Sequence, residues 1–318
     1  MIEVSNLSKY YGDVAAVDGV SFRVAKGEIL GFLGPNGAGK TTTMRVLTCY
    51  QPPSAGTARV AGFDVVEESM EVRRRIGYLP EQPPLYNDMT VRAYLRFVAR
   101  IKGVAGAQME SRLAETMERT AITHYADTVI GHLSKGYRQR AGLAQALVHN
   151  PEVLILDEPT VGLDPKQIIE IRQLIRSLGG SHTVILSTHI LPEVSMTCEK
   201  IVVINNGRIA GEGTPESLTE QLKEGETLLA QIVGPAAQVL AVLRGIAGVV
   251  EVTADGSGPQ AQESSYTVVT GAGQDVREEL ARRVIAQGFA LRELRPLGMS
   301  LEDIYLRLTT EEVSAGHA

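Results

Sequence analysis

The sequence is poor in several features that define whole classes of protein. It has no tryptophan and two cysteines, and no apolar run approaches the roughly 18 residues that a membrane-spanning helix needs. Cys49 and Cys198 are far apart and lack metal-ligand spacing, so we expect two reduced thiols. The N-terminus, MIEVSNLSKYYG, lacks the charged and then apolar layout of a signal peptide. These absences predict a cytosolic chain rather than a secreted or membrane-embedded one.

The sequence also lacks an excess of basic residues. The net charge is −6, and residues 226–318 account for −5 of it, with seven Arg, no Lys and twelve Asp or Glu. An acidic C-terminal part is thus attached to a nearly neutral body. Neither part has the basic stripe that is typical of a nucleic-acid-binding protein. We therefore expect no nucleic acid as a main partner. The 318 residues are enough for two domains.

The strongest positive signal is a glycine-rich segment between a strand and a helix. Residues 27–33, GEILGFL, are typical of a buried strand, and residues 43–50, TMRVLTCY, have helical spacing. The segment between them, GPNGAGKTT, matches the phosphate-loop pattern G-x-x-x-x-G-K-[ST] in its required context. The glycines let backbone N–H groups form an anion cradle at the helix N-terminus. The predicted nucleotide-binding residues of this loop are Gly34, Pro35, Asn36, Gly37, Ala38, Gly39, Lys40, Thr41 and Thr42.

A pair of carboxylates follows a later apolar run. Residues 153–158, VLILDE, predict a buried strand that ends in Asp157 and Glu158. Asp157 would face a Mg²⁺ ion, directly or through water, that the Thr41 hydroxyl also ligates. Glu158 points differently, because side chains alternate along a strand, and it is placed to orient or deprotonate an attacking water. The combination with Lys40, which can reach the outer phosphates, predicts nucleotide hydrolysis.

A third apolar run ends in a histidine. Residues 183–189, TVILSTH, predict a strand with His189 at its carboxyl end. Ligand sites of parallel sheets collect at the carboxyl ends of the strands, so His189 would lie near the phosphate loop. From there it can donate a hydrogen bond to a γ-phosphate oxygen. We therefore predict His189, with Glu158, as a catalytic residue.

These motifs, in this order, resemble the ATP-binding subunit of an ABC (ATP-binding cassette) transporter over roughly residues 1–220. The resemblance implies that Tyr11, in KYYG, stacks on the adenine of ATP, with Tyr10 as the alternative by one register. It also implies that Asp164, in VGLD, lies in a loop that crosses to a partner subunit. His189 matches the switch histidine of the family.

A second segment, LSKGYRQR at residues 133–140, corresponds to the family's serine–glycine signature, usually Leu-Ser-Gly-Gly-Gln. Ser134 and Gly136 are kept, whereas Lys135 and Tyr137 depart from the common form. Ser134 can cap a helix whose N-terminus attracts an anion. In the family each signature binds the γ-phosphate that the other subunit's phosphate loop holds, so the resemblance implies a dimer around ATP and Mg²⁺. Lys135 either adds charge attraction or is simply solvated.

Another departure from the family pattern lies in IGYLPEQ, residues 76–82. Much of the family has a glutamine directly after Leu-Pro, and that glutamine links Mg²⁺ to the surface that contacts the membrane subunits. Here Glu81 occupies this place and Gln82 follows. A carboxylate can still hydrogen-bond a metal-bound water, so both residues remain candidates for this role.

The combination of LPE with LSKGYRQR resembles one branch of the family, the gliding-motility type and its multidrug-export relatives. These ATP-binding subunits pair with separate polytopic membrane subunits of the type-two exporter class. The resemblance implies a peripheral location on the cytoplasmic face of the inner membrane. It implies a homodimer, or a heterodimer with a similar cassette, and it leaves the cargo and the role of the C-terminal part open.

The predicted fold class is α/β, a P-loop NTPase cassette with a helical subdomain and a small C-terminal α+β domain. We assign the cassette to residues 1–220, with the helical subdomain at about 85–150. The accessory domain follows at 221–310, as strand, helix, two strands, helix and a final helix, and residues 311–318 are predicted to be a disordered tail.

Two other functions compete with an exporter motor. The first is a soluble ABC-type ATPase that acts on nucleic acid or ribosomes, but the chain has one cassette and no basic face. The second is a kinase that uses the phosphate loop on a small acceptor, and it leaves Ser134, Gly136 and Asp164 without a role.

Overall fold

The computed structural model describes residues 1–221, 227–255, 263–271, 274–297, 305–306 and 308–309. These residues divide into two compact units. The first lies within Met1–Pro215 and Tyr305–Ala318, and the second within Glu216–Ile304. The predicted tail at 311–318 lies outside the described residues. None of the helices in the described ranges is long and apolar enough to cross a membrane.

The first unit contains two sheets and a group of helices. Its strands are β1 (Ile2–Tyr11), β2 (Val14–Val24), β3 (Ile29–Leu33), β4 (Ala55–Val60), β5 (Phe63–Asp64), β6 (Ile76–Leu79), β7 (Val153–Asp157), β8 (Thr183–Thr188), β9 (Lys200–Asn205) and β10 (Arg208–Gly213). Its helices are α1 (Lys40–Leu47), α2 (Ser69–Arg75), α3 (Val91–Ile101), α4 (Met109–Arg119), α5 (Lys135–Leu147), α6 (Pro165–Leu178) and α7 (Leu191–Thr197). Helix α8 (Pro215–Gln221) follows at the boundary between the units.

The larger sheet has the strand order β10-β9-β3-β8-β7-β6, and all neighbours are parallel except β10 and β9. Every residue of β3, β7 and β8 is buried. Strands covered on both faces are near-continuous apolar runs, which is why these three segments were recognisable in the sequence. Their carboxyl ends lie at one edge of the sheet and direct the following loops to the same place.

The smaller sheet, in the order β2-β1-β4-β5, is antiparallel. Its inward side chains, helix α1 and the parallel strands share one apolar core, which includes Leu7, Phe22, Phe32 and Met44. The Phe22 and Phe32 ring centroids are 5.3 Å apart. This core fixes α1, and therefore the start of that helix, against the sheet.

Helices α3, α4 and α5 form a separate core from residues such as Leu95, Leu113 and Ala144. The Thr90 hydroxyl caps α3 by accepting a hydrogen bond from the Ala93 N–H, at 3.2 Å. Helix α5 packs directly on β6, where a Cβ added to Gly77 would lie 2.0 Å from the Ala146 carbonyl oxygen. The glycine thus permits the close approach of the helical group to the sheet.

The second unit has the order β11 (Thr227–Val233), α9 (Ala236–Arg244), β12 (Val249–Asp255), β13 (Glu263–Thr270), α10 (Arg277–Ala286) and β14 (Ala290–Leu297). The antiparallel sheet order β12-β13-β11-β14 makes this a ferredoxin-like β-α-β-β-α-β arrangement. Strand β14, ALRELRPL, was not predicted from the sequence. It is an edge strand, and edge strands commonly carry charged residues and proline, which hide the apolar pattern.

We expect Gly77→Ala to destabilise the first unit, because its methyl group would collide with the Ala146 carbonyl oxygen. Overpacking a well-packed core costs roughly 1–3 kcal/mol, so the urea midpoint should fall. The measurement is urea unfolding followed by circular dichroism. Gly106→Ala is the matched control, because an added Cβ there meets nothing within 4 Å. An unchanged midpoint for Gly77→Ala would contradict the close contact of α5 and β6.

Candidate functional site

The glycine-rich segment joins the carboxyl end of β3 to the start of α1. Gly37 and Gly39 adopt positive φ angles of 82° and 104°, which glycine tolerates without steric cost. A Cβ on Gly34 would lie 2.3 Å from the Ile204 carbonyl oxygen, so this glycine is required for close packing. Helix α1 has neither a side-chain cap nor an acidic residue in its first turn. Its N-terminal N–H groups can therefore receive an anion.

Lys40 lies at the floor of this loop and is only 6% exposed. Its Nζ donates hydrogen bonds to the carbonyl oxygens of Gly34, at 2.7 Å, and Pro35, at 3.1 Å. The same Nζ is 3.6 Å from Glu158 Oε1. The Lys40 ammonium therefore contacts both the phosphate loop and the Glu158 carboxylate that follows β7.

Asp157, the last residue of β7, is completely buried. Its Oδ1 accepts a hydrogen bond from the Ser187 hydroxyl at 2.8 Å, whereas its Oδ2 is buried without a partner. Burial raises the pKa of this carboxyl, and hydrogen bonds from Ser187 and Thr41 oppose the shift. An unpartnered buried oxygen is costly unless something else satisfies it. Asp157 Oδ2 is thus suited to a cation or its water.

Glu158 follows Asp157 with a φ of +50°, in the left-handed region. Its N–H donates to the Ser187 carbonyl oxygen at 2.9 Å, and the His189 Nδ1 lies 3.0 Å from both carboxylate oxygens. The carboxylate is buried, whereas the His189 side chain is 40% exposed. A left-handed conformation at a non-glycine residue stores strain of roughly 1–3 kcal/mol and is typical of functional sites. The turn aims the carboxylate at Lys40 and His189.

A cavity of about 400 Å³ opens over the phosphate loop. Its walls combine that loop, the end of β7 and the loop after β8, and they consist of Ala16, Asn36, Gly37, Gly39, Lys40, Thr41, Thr42, Glu81, Glu158, Val161 and His189. Glu81 reaches this cavity, and its charge helps to raise the pKa of Asp157. Gln82 is exposed and is not one of the lining residues.

Tyr11 lies at the end of β1, outside the cavity walls. Its ring is about half exposed, and its hydroxyl donates to Gln51 Oε1 at 2.9 Å. Lys9 Nζ lies 5.7 Å from the ring centroid. Tyr10 is similarly exposed. Tyr11 therefore presents a ring to solvent, without contributing to the phosphate cavity itself.

The signature residues lie at the start of α5, and they do not line the cavity of their own chain. The Ser134 hydroxyl caps this helix by accepting a hydrogen bond from the Tyr137 N–H at 3.4 Å. Lys135 Nζ fills the space beside Gly162, where an added Cβ would lie 1.8 Å from it. A Cβ on Gly136 would lie 2.5 Å from the Gln167 side chain. The signature is thus packed tightly on the start of α6.

Asp164 stands at the other side of this contact. It is exposed and caps α6, with its Oδ1 accepting a hydrogen bond from the Gln167 N–H at 2.9 Å. Asp164 does not line the cavity, although Val161, three residues before it, does. The structure therefore gathers Lys40, Thr41, Asp157, Glu158, Glu81 and His189 in one place. It leaves Tyr11, Gln82, Ser134, Lys135, Gly136 and Asp164 outside the cavity.

Several residues that hold the site were not predicted from the sequence. Ser187 lies opposite Asp157 in the register of β7 and β8 and donates to it. Ala16 and Val161 complete the cavity wall. Glu193, in α7, is buried and bonded to the hydroxyls of Thr160 and Thr188. Of these residues, only Glu193 gave a signal in the sequence, as a charge within an apolar stretch. The role of Ser187 depends on strand register, which is set by pairing between distant segments.

Comparison with known proteins places the chain in a family. A family model described as ABC transporter matches residues 17–161. The Nod factor export ATP-binding protein I of Paraburkholderia xenovorans is 38% identical, over 98% of both chains. The daunorubicin resistance ATP-binding protein DrrA2 of Streptomyces coeruleorubidus is 34% identical, over 100% of this chain and 98% of the relative. A solved ATP-binding cassette, a dimer in a post-hydrolysis state with ADP and Pi, superposes with a TM-score of 0.62. It is 25% identical, over 67% of this chain and 98% of the cassette.

The chain is an ATP-binding cassette protein. It belongs to the ABC transporter family as an ATP-binding subunit, and it hydrolyses ATP for transport. The resemblance inferred from the motifs is confirmed for the family and for the type-two exporter branch. The predicted α/β cassette fold is confirmed as well.

Proposed function

We propose that this subunit powers an exporter whose membrane-spanning subunits are separate chains. Two cassettes would close on ATP and open after hydrolysis, on the cytoplasmic face of the inner membrane. The observation that carries the proposal is the position of the Glu158 carboxylate. It lies 3.0 Å from His189 and 3.6 Å from Lys40, in the wall of the phosphate-loop cavity. A base, a hydrogen-bond donor and a phosphate-binding cation thus surround one space.

ATP would bind with its phosphates in the loop Gly34–Thr42 and its adenine on the exposed ring of Tyr11. Lys40 would exchange its bonds to the Gly34 and Pro35 carbonyl oxygens for bonds to the outer phosphates. The N-terminal N–H groups of α1 would face the same phosphates, which favours an anion there. Lys40 would stay near Glu158, so ATP binding would bring the γ-phosphate to the base.

The residues present fit a Mg²⁺ ion. Asp157 Oδ2 is buried and unpartnered, and the Thr41 hydroxyl lies beside Asp157. No group of three or more His, Cys, Asp or Glu among the described residues could hold a metal alone. Mg²⁺ is commonly held by one or two carboxylates together with substrate phosphates. When bound, it neutralises phosphate charge. Glu81, which reaches the cavity, is a better candidate than Gln82 for a bond to a metal-bound water.

Hydrolysis would use Glu158 as the general base. Its carboxylate would take a proton from a water whose oxygen attacks the γ-phosphorus, while the bond to the β-phosphate oxygen breaks and ADP leaves. His189, already bonded to Glu158 through Nδ1, would hold the carboxylate in place. A neutral imidazole carries one N–H, so the ring would donate either through Nδ1 to Glu158 or, once ATP is bound, through Nε2 to a γ-phosphate oxygen. The exposure of His189 allows this contact from the open side of the cavity.

A second subunit would complete each site. Ser134 and Lys135 are exposed at the start of α5, away from the cavity of their own chain, and Asp164 is exposed at the start of α6. Gly136 is buried between them, against the Gln167 side chain. A helix N-terminus with a hydroxyl cap is suited to an anion from another chain. The dimeric form of the solved cassette supports this arrangement. We propose a homodimer, in which Asp164 lies near the subunit boundary.

A surface cleft offers a place for a membrane subunit. It has a volume of about 570 Å³ and lies between the end of α1, α2 and α3. Exposed apolar side chains line it, including Tyr50 at 75%, Met70 at 58% and Ile101 at 67%, together with the cations Arg73, Arg74 and Lys102. Exposed apolar groups around a concave site are typical of protein contacts. We propose that a cytoplasmic segment of the permease docks there.

The relatives support export as the direction of transport. Their names refer to Nod factor export and to daunorubicin resistance, and thus to different cargoes. Because ATP-binding subunits similar to this one serve different cargoes, we propose that the membrane subunits select the cargo.

Glu158→Gln should bind ATP and hydrolyse it about 10²–10⁴-fold more slowly, because an amide cannot accept the proton of water. The measurement is steady-state phosphate release, alongside nucleotide affinity by fluorescence titration. Glu152→Gln, an exposed carboxylate before β7, is the matched control and should keep normal turnover. Near-normal turnover in Glu158→Gln would remove Glu158 from the role of base.

Ser134→Arg should abolish turnover while leaving nucleotide binding by the monomer intact, since its charge and bulk would fall on the partner's site. Mixing it with Lys40→Ala subunits should restore part of the activity. In such a mixed dimer, one site combines an intact phosphate loop with an intact signature. Ser177→Arg, on the exposed face of α6, is the control. Full activity of Ser134→Arg subunits alone would refute a shared site.

Tagged Glu158→Gln protein, with ATP and Mg²⁺, should capture a polytopic membrane protein from detergent-solubilised membranes of its own host. Adding Ile101→Asp should abolish this capture, because it replaces an exposed apolar contact of the cleft by a carboxylate that the partner would have to desolvate. Ile285→Asp, an equally exposed isoleucine in the second unit, is the control. Recovery of only ribosomes, nucleic acid or soluble proteins would instead favour a soluble ABC ATPase.

A further inference from the structure

Glu193 is a buried acid that does not touch the cavity. It lies in the first turn of α7, a short helix after β8, and its side chain is 1% exposed. A buried carboxylate is costly unless it is paired and hydrogen-bonded. The hydrogen-bond partners of Glu193 therefore indicate which part of the structure this buried carboxylate holds in place.

The two carboxylate oxygens of Glu193 bind two different loops. Oε1 accepts a short hydrogen bond from the Thr160 hydroxyl, and Oε2 accepts one from the Thr188 hydroxyl at 2.9 Å. Arg172, on α6, places its Nη2 3.5 Å from Oε1. Both threonines are buried, so neither hydroxyl can turn to bulk water instead. One carboxylate thus joins the segment after β7, the end of β8 and helix α6.

Both threonines are close in sequence to the residues that surround the cavity. Thr160 is two residues after Glu158, and Thr188 directly precedes His189. Thr188 also accepts a hydrogen bond from the Ile190 N–H at 3.1 Å, which fixes the backbone on the other side of His189. Glu158 itself is held in a left-handed conformation, which persists only when its surroundings enforce it. The bonds to Glu193 restrain the loops of both members of the Glu158–His189 pair.

We infer that Glu193 is a positioning residue for ATP hydrolysis. It sets the relative placement of Glu158 and His189 by anchoring the loops that carry them, and the inference rests on the proposed roles of those two residues. Misplacing a catalytic group by about 1 Å can lower a rate about 10²-fold. The Glu193 carboxylate bonds the Thr188 side chain, whereas the nucleotide-binding loop meets Thr188 through its backbone, with the Gly34 N–H donating to the Thr188 carbonyl oxygen at 3.3 Å. Because that backbone bond does not use the Thr188 hydroxyl, the loss falls on turnover rather than on ATP affinity.

The test compares Glu193→Gln with a hydroxyl series at its partner. Gln keeps the shape of the side chain but replaces one acceptor oxygen by a donor, so one threonine hydroxyl loses its acceptor. We expect kcat to fall about 10- to 100-fold, with the Kd of a fluorescent ATP analogue unchanged within about twofold. Thr160→Val, which removes only the hydroxyl, should reduce kcat similarly, and Thr160→Ser should restore it. Glu199→Gln, an exposed acid six residues further on, is the control.

Normal kcat in both Glu193→Gln and Thr160→Val, with native Tm, overturns the inference. Equal losses in Thr160→Val and Thr160→Ser, or a loss that appears in Kd rather than kcat, overturn it as well. If Glu193→Gln does not fold, the Thr160 pair decides. Glu158→Gln is measured beside them. If Glu158→Gln keeps its turnover, the proposed role of Glu158 fails. If Glu158→Gln loses turnover while Glu193→Gln keeps a normal kcat, only the role of Glu193 is rejected.

Discussion

The burial of Asp157 at the carboxyl end of β7 is the constraint on which the rest of the site depends. Burial raises the pKa of a carboxyl group, so a buried carboxylate needs hydrogen-bond partners to stay charged. Ser187 supplies one from β8, which requires that β7 and β8 pair in one register. That register in turn requires both strands to be apolar and buried on both faces. The pairing of β7 with β8 and the buried Asp157 carboxylate at the end of β7 therefore depend on each other.

Glu158 shows how this constraint is transmitted to the chemistry. It follows a buried carboxylate and must turn sharply, and its left-handed backbone is held by the bond to the Ser187 carbonyl oxygen. Its side chain then meets Lys40 from the phosphate loop and His189 from the next strand. Three loops from three strands thus meet at one carboxylate. Their common origin is the edge of the parallel sheet, where ligand sites of such folds form.

The sequence predicted the parts of the site that are local and failed where distant segments decide. Lys40, Thr41, Asp157 and Glu158 each follow an apolar run with a recognisable pattern, so their elements could be placed directly. Ser187 and Glu193 gain their roles from pairing and packing between distant segments, which no local pattern contains. Glu81 and Gln82 are adjacent in the sequence, and the local pattern does not say which of them reaches the cavity; in the structure Glu81 does. In the second unit β14 escaped notice because its charges fit an edge strand but not an apolar pattern.

The contact between Lys135 and Gly162 has a consequence for exchanging parts between cassettes. The lysine side chain occupies the volume that any side chain at position 162 would need. Replacing this signature by the common Leu-Ser-Gly-Gly-Gln form would uncover the exposed surface beside Gly162. A side chain at position 162 would displace the lysine amine and strain a backbone whose φ is +70°. A chimera that transplants the signature alone therefore loses this contact. The interchangeable module is the signature together with the loop before α6, and a graft should carry both.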